Sequence, residues 1–193
     1  SGRLVKMRRA LDKYYSPELF GTILAKHVPF NAEHGFIFEP CSGDGAIVKG
    51  LKSIGITNKI ITNDIDTSSP ATLHMDATKH HVWTKLKNAD GLLGPMGYVV
   101  TNPPFVDAQE ILEMGMEFAT ELVALYLRLS FNEPTHSRVG FLQKHPPRLI
   151  NLARVSFTGD GKKDLLNGAW FLWPISDRLK AVQLEVFSHA NNE

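Results

Sequence analysis

One cysteine, Cys41, stands among the 193 residues, so no internal disulfide can staple the chain and a reducing compartment is tolerated. Long apolar runs are missing too. No stretch approaches the roughly 20 residues of a membrane span, and no secretory leader pattern appears, so a cytoplasmic protein without a membrane partner is expected. Charge of one sign is also lacking. Lys+Arg 21 against Asp+Glu 20 leaves a net charge of +1, which gives no global pull on nucleic acid, so any basic binding face has to be local. Arg3, Lys6, Arg8, Arg9 and Lys13 form one such cluster, and residues 1–12 are expected to be a flexible basic tail. Eight histidines are present, none at ligand spacing. His80 and His81 are adjacent, and neighbours on a helix point to different faces, so no metal is expected.

What is present, 43% hydrophobic and 21% charged residues, is the composition of a globular protein. At this length one domain spanning 1–193 is expected, with no second domain. Ser16-Pro17-Glu18 is a helix opening, with a hydroxyl cap, proline in the first turn and an acid beside the positive helix end, and it predicts a helix over 17–27. Phe36-Ile37-Phe38 reads as a strand that runs into the loop Glu39-Pro40-Cys41-Ser42-Gly43-Asp44-Gly45 and a helix over 46–51. A second strand over 59–62 ends at Asn63-Asp64-Ile65-Asp66. Residues 73–77 form a short apolar run, 78–87 a polar-faced helix, and 91–97 a loop. Further strands are expected over 98–100, 122–129, 148–152, 169–173 and 183–187. Between the strands at 98–100 and 122–129, Asp107 caps a helix whose face Ala108, Ile111, Leu112, Gly115, Phe118 and Ala119 belongs in the core. The alternation predicts an α/β fold with a largely parallel sheet, in which ligands sit beyond the carboxyl ends of the strands.

Two kinds of loop chemistry fall at those ends. The loop 39–45 is a nucleotide-type turn, whose glycines let a ligand approach the backbone closely. A dinucleotide fingerprint would need glycine where Val48 stands, and no Walker lysine follows, so pyrophosphate binding is disfavoured. Asp64, one strand later, is placed to accept both hydroxyls of a ribose, or else is a turn aspartate. Asp76 can accept from an adenine amine. The stretch YVVTNPPF (98–105) is the centre of the chain. Its strand stops at Asn102, and the two prolines that follow cannot donate to a sheet. Either this is an ordinary turn, or the Asn102 amide, the Pro103 carbonyl and the Phe105 ring serve a flat ring bearing an exocyclic amine. Two acceptors would take the amine hydrogens and keep its lone pair out of conjugation.

FEPCSGDG, NDID, MDA and NPPF, in that order and spacing, resemble the Rossmann-like S-adenosylmethionine-dependent methyltransferases that methylate amines. NPPF looks like the catalytic motif of DNA N6-adenine methyltransferases. KYYSPEL is similar to the cofactor-closing segment of enzymes with this motif order, and RLSF, HPPRLI, SFTGDGKKD and AWFLW look like short phage-type DNA methyltransferases. The resemblance implies a Rossmann-like, mostly parallel sheet with helices on both faces, and S-adenosylmethionine as cofactor. It implies cofactor contacts from Tyr15, Ser16, Glu39, Pro40, Cys41, Gly43, Gly45, Asp64, Ile65, Asp76, Ala77 and Asn102. Catalysis falls to Asn102, Pro103, Pro104 and Phe105, and the polynucleotide to Phe105, Arg148, Arg154, Lys162, Lys163 and Trp170. No separate target-recognition domain is expected.

The expected activity is direct in-line methyl transfer to the exocyclic amine of a nucleobase in nucleic acid, N6 of adenine in DNA first. No cysteine lies near the corner to attack a ring carbon, as cytosine C5 chemistry requires. An RNA base amine or a protein glutamine amide would suit the same corner. A catalytically silent nucleic-acid-binding subunit would need neither the glycine loop nor the corner intact.

Overall fold

The computed structural model describes residues 18–133, 136, 138–152 and 168–188. The basic tail, Tyr15, Ser16, Arg154, Lys162 and Lys163 lie outside them.

Side chains in a strand alternate between faces, and here both faces are apolar. Strands β1 (Phe36–Glu39), β2 (Ile60–Thr62), β3 (Met96–Thr101), β4 (Leu122–Arg128), β5 (Arg148–Leu152), β6 (Gly168–Pro174) and β7 (Val186–Ser188) form one sheet in the order β2-β1-β3-β4-β6-β5-β7. Only β6 runs antiparallel to its neighbours. Phe36, Phe38, Val99, Val123, Leu125 and Phe171 enter one core layer, while Ile37, Tyr98, Val100, Ala124, Trp170 and Leu172 enter the other.

Each layer is closed by helices. The first is covered by α3 (His80–Lys87) and α5 (Ala108–Phe118), through Val82, Trp83, Leu86, Ile111, Leu112 and Phe118. The second is covered by α1 (Glu18–His27), α2 (Ala46–Ser53) and the short α7 (Asp177–Lys180), through Phe20, Leu24, Ile47, Leu51 and Leu179. The architecture is the expected Rossmann-like one. Short helices α4 (Asp90–Leu93) and α6 (Val139–Lys144) complete the set. No helix among the described residues is long and apolar enough to cross a membrane.

Local departures from the sequence reading have simple causes. The segment 91–97 holds part of α4 and the start of β3, because Met96 is buried and pairs with Phe36. Residues 73–77 make only a single bridge, Asn63 to Leu73. The last strand begins at Val186 rather than 183. Asp107 sits at the N-cap of α5, but its side chain does not cap that helix.

Helices α1 and α2 touch backbone to backbone. A Cβ on Gly21 would collide with the Ile47 carbonyl, and one on Gly50 with the Glu18 carbonyl. This contact fixes the helix that follows the glycine loop. Gly50→Ala is therefore expected to lower stability by about 1–3 kcal/mol, the usual cost of overpacking; an unchanged denaturant midpoint would mean that the helices are free to separate.

Candidate active site

Strand β2 lies on one side of β1 and β3 on the other, so the chain reverses its direction of winding between β1 and β3. A crevice opens at such a point, beyond the carboxyl ends of the strands. Two apolar strands bring polar residues to this edge, and both residues are buried there. Thr101 ends β3, and its Oγ1 accepts from the Cys41 amide at 3.2 Å and donates to the Cys41 carbonyl at 3.3 Å. Asn63 follows β2. Its Nδ2 donates to the Pro40 and Met75 carbonyls, each at 2.9 Å, and its Oδ1 accepts from the Met75 amide at 2.9 Å.

These two side chains join the loop after β1, the end of β2, the 73–77 segment and the end of β3. Sequence reasoning overlooked both. The available signal was a polar residue closing an apolar strand, Thr after Val-Val and Asn after Ile-Ile-Thr, where a buried side chain has to find partners.

Within this frame the expected residues assemble. Gly43 (φ 54°) and Gly45 (φ 81°) are in the left-handed region, and the space on their Cβ side is open. Asp64 Oδ2 accepts from the Gly43 amide at 2.7 Å and Oδ1 from the Asp66 amide at 2.8 Å. Asp64 is thus a turn residue and a clamp on the glycine loop, with a second lone pair still available on each oxygen. Ile65 is half exposed beside it. Asp76 Oδ1 accepts from the amide and hydroxyl of Thr78, at 3.0 and 2.7 Å. Buried Ala77 is held by the Trp83 indole N–H, which donates to its carbonyl at 2.8 Å.

At the end of β3 the corner is open rather than packed shut. Pro103 is buried, Asn102 and Pro104 are partly exposed, and Phe105 is 39% exposed. The Asp107 amide donates to the Pro104 carbonyl at 3.0 Å and turns the chain into α5, while no described donor takes the Pro103 carbonyl.

Glu39 is the anomaly. It is 1% exposed, and neither of its oxygens, nor the buried Ser42 Oγ, has a partner among the described residues. Burial, then Asp64 and Asp44, pushes its pKa well above the usual glutamate value. At the opposite edge of the sheet another buried carboxylate, Glu121, accepts from Ser176 Oγ at 3.0 Å and from Arg178 Nε and Nη2 at 3.1 and 2.8 Å. The fold satisfies a buried acid where it has no ligand to bind. Orphaned acceptors, open glycines and unfilled aspartate lone pairs fit a polar ligand carrying a cationic or hydroxyl donor. Burial, with Asp64, Asp107 and Glu39, also raises the Cys41 thiol well above its normal pKa, which suppresses thiolate chemistry.

Two expected contacts are corrected. Trp170 is fully buried, its indole donating to the Phe20 carbonyl at 3.0 Å and its ring edge-on to Tyr126, so it offers no surface to a substrate. Arg148 donates to the Val182 and Lys180 carbonyls, each at 2.8 Å, and so closes the carboxyl end of α7. In their place two arginines not foreseen from the sequence reach the corner. The Arg128 and Arg138 guanidinium carbons lie 5.9 and 5.7 Å from the Phe105 ring centre. No cluster of three potential metal ligands occurs among the described residues.

No family model and no curated protein matches the sequence. Solved structures do match. One is a Listeria monocytogenes protein named as a class I S-adenosylmethionine-dependent methyltransferase, at 14% identity and TM-score 0.58, with 94% of this chain and 68% of that one covered. Another is the M protein of Type I restriction enzyme EcoKI, at 9% identity and TM-score 0.59; the match takes in 90% of this chain but only 46% of the M protein. A third is an rRNA methyltransferase of Streptomyces viridochromogenes, at 11% identity and TM-score 0.51, with 87% and 88% covered. The fold is that of the S-adenosylmethionine-dependent methyltransferases. Within that methyltransferase fold, the Thr101 clasp and the Glu39 anomaly both fall at the carboxyl ends of the central strands.

Two substitutions test this geometry. Thr101→Val keeps the volume but removes both bonds to Cys41 and leaves a buried amide unpaired, for an expected loss of about 1–3 kcal/mol in denaturant unfolding; no loss would mean that water replaces the hydroxyl. For Glu39 the folded pKa exceeds the unfolded one, so its share of stability is full below the usual glutamate range and lost as pH rises through the raised value. Glu39→Gln should raise the melting temperature of the ligand-free protein on the alkaline side and flatten its fall as pH rises from the usual glutamate range. Parallel melting curves across the pH range would show that the carboxyl is already solvated or paired.

Proposed function

We propose that this protein transfers a methyl group from S-adenosylmethionine to the exocyclic amine of a nucleobase in a polynucleotide, N6 of adenine in DNA before others. The observation that carries the reading is the double hydrogen bond between Thr101 and Cys41, which sets the residue before Asn102 against the loop that leads to Gly43. A corner suited to an amine and a turn suited to a small polar cofactor then share one crevice.

The residues fit the cofactor. Gly43 and Gly45 would take its amino-acid part against the backbone, with Glu39 and Ser42 beneath as acceptors for its ammonium group. Asp64 would hold the ribose hydroxyls, and Ile65, Asp76 and Ala77 the adenine. When bound, S-adenosylmethionine supplies a methyl group on a cationic sulfur.

The chain's own part is orientation. Asn102 Oδ1 and the Pro103 carbonyl would accept the two amine hydrogens, turning the nitrogen lone pair out of the ring system. Phe105 would hold the ring by its face. Stacking of this kind contributes about 1–3 kcal/mol, which offsets much of the cost of extruding a base from a duplex. Cys41, distant from the corner in sequence, is bonded through its backbone to Thr101 beside it, but transfer to an exocyclic amine needs no enzyme nucleophile and no covalent enzyme–base intermediate. The proton leaves after the nitrogen has gained its methyl, and no strongly tuned base is required. Two of the structurally similar proteins carry nucleic-acid roles in their names, a restriction-enzyme M protein and an rRNA methyltransferase, which favours a polynucleotide over a glutamine side chain.

Asn102→Ala is expected to cut methyl transfer at least about a hundredfold, the scale of loss when reacting groups are misplaced, with calorimetric affinity for S-adenosylmethionine nearly unchanged. Equal loss of both would make Asn102 a structural or cofactor residue. Mass spectrometry of the digested product should place the label on adenine N6; label confined to RNA or to glutamine would reject the DNA reading.

A further inference from the structure

Among the described residues, Arg128 and Arg138 are the basic ones brought to the Phe105 ring, and neither was expected there from the sequence. Arg128 is the last residue of β4, the strand beside β3, and stands three residues beyond Leu125, the partner of Thr101. It therefore overhangs the Asn102 corner. Its guanidinium carbon lies 5.9 Å from the centre of the Phe105 ring.

Arg138 is held more firmly. Its guanidinium lies 4.4 Å from the centre of the Phe131 ring, and its Nη1 donates to the Phe131 carbonyl at 2.7 Å. Phe131 is 1% exposed and packs edge-on against Phe171 of the sheet, so Arg138 is tied to the core. Among the described residues neither guanidinium meets a carboxylate within 4.0 Å. Elsewhere the protein does pair its half-buried arginine, Arg178, with Glu121. Two cations thus stand beside one exposed aromatic ring with no counter-ion among the described residues.

Guanidinium groups present planar forks of N–H donors that match phosphate oxygens, and aromatic faces keep them in position without neutralising them. We infer that Arg128 and Arg138 bind the two phosphates flanking the target base, so that the substrate is a polynucleotide strand rather than a free nucleoside or a peptide. The inference rests on the reading of Phe105 as the platform for that base. It also gives the protein, with its net charge near zero, the local basic face that overall composition does not supply. Phosphate contacts set register and affinity, while Asn102 and Pro103 read the amine.

Fluorescence anisotropy with a labelled single-stranded oligonucleotide containing one central adenine tests the inference without relying on catalysis. Each of Arg128→Gln and Arg138→Gln should weaken binding about tenfold. The double variant should flatten the dependence of log K on log salt by about 1.4, the value for two phosphate contacts on a single strand. Replacing the two phosphates flanking the adenine by methylphosphonates should reproduce the loss in the wild type and add nothing in the double variant. Arg128→Gln alone suffices if the Arg138 variant melts early, since Arg128 is exposed. Unchanged affinity and salt slope would overturn the inference, as would a methylphosphonate effect that adds in full to the mutational one. So would an acidic glutamine peptide that displaces the oligonucleotide from the wild type. Calorimetry with S-adenosylmethionine is run on the same samples. Absence of cofactor binding with an intact arginine effect sinks the methyl-transfer reading alone, and normal transfer with no arginine effect sinks only this inference.

Discussion

Everything proposed for this protein depends on two hydrogen bonds between residues sixty positions apart. Thr101 ends β3, Cys41 lies in the loop that leaves the neighbouring parallel strand β1, and a single hydroxyl engages both the amide and the carbonyl of Cys41. The sheet already brings the two strands together. What the hydroxyl adds is a fixed relation between the loops that leave them, the glycine turn on one side and the Asn-Pro-Pro corner on the other. Asn63 does the same between β1, β2 and the 73–77 segment, with three side-chain bonds in a fully buried setting. Loops with few apolar contacts of their own are positioned by polar side chains that the core excludes from water.

The two edges of the sheet differ in a way that separates structure from function. At the amino ends of the strands, Tyr98, Glu121, Ser176 and Arg178 form a connected network in which the buried carboxylate is paired. At the carboxyl ends, Glu39 is more deeply buried and has no partner among the described residues. An unpaired buried acid costs stability, and an acceptor left in this state is consistent with the cofactor site proposed for that edge. The same edge carries the open glycines and the exposed Phe105.

Most of the strands and helices could be read from apolar periodicity, since a sheet buried on both faces writes near-continuous hydrophobic runs into β3, β4 and β6. The candidate residues of the turn, the strand tips and the corner were assigned from short motifs at fixed places after strands, places the structure brings to one end of the sheet. The clasp was not legible. Thr101 and Asn63 look like ordinary strand-end residues until their partners, distant in sequence, are known. Two of the contacts that the resemblance implied were misplaced for the same reason. Arg148 was assigned to the polynucleotide, yet it closes a helix, and so was Trp170, yet it lies in the core against Phe20. Arg128 opens the RLSF stretch but was given no role there, and Arg138 belongs to no motif; the adjacency of β3 and β4 brings the first to Phe105, and the contacts with Phe131 bring the second.

The account stands or falls on whether the glycine turn and the proline corner serve one reaction. A crystal structure with S-adenosylhomocysteine, the product left when the methyl has gone, decides it most directly. The ligand's amino group should lie within hydrogen-bonding reach of Glu39 or Ser42, and its sulfur should face Asn102 across the crevice. A ligand bound elsewhere, or one whose sulfur points away from Asn102 with Glu39 still unpartnered, would contradict it.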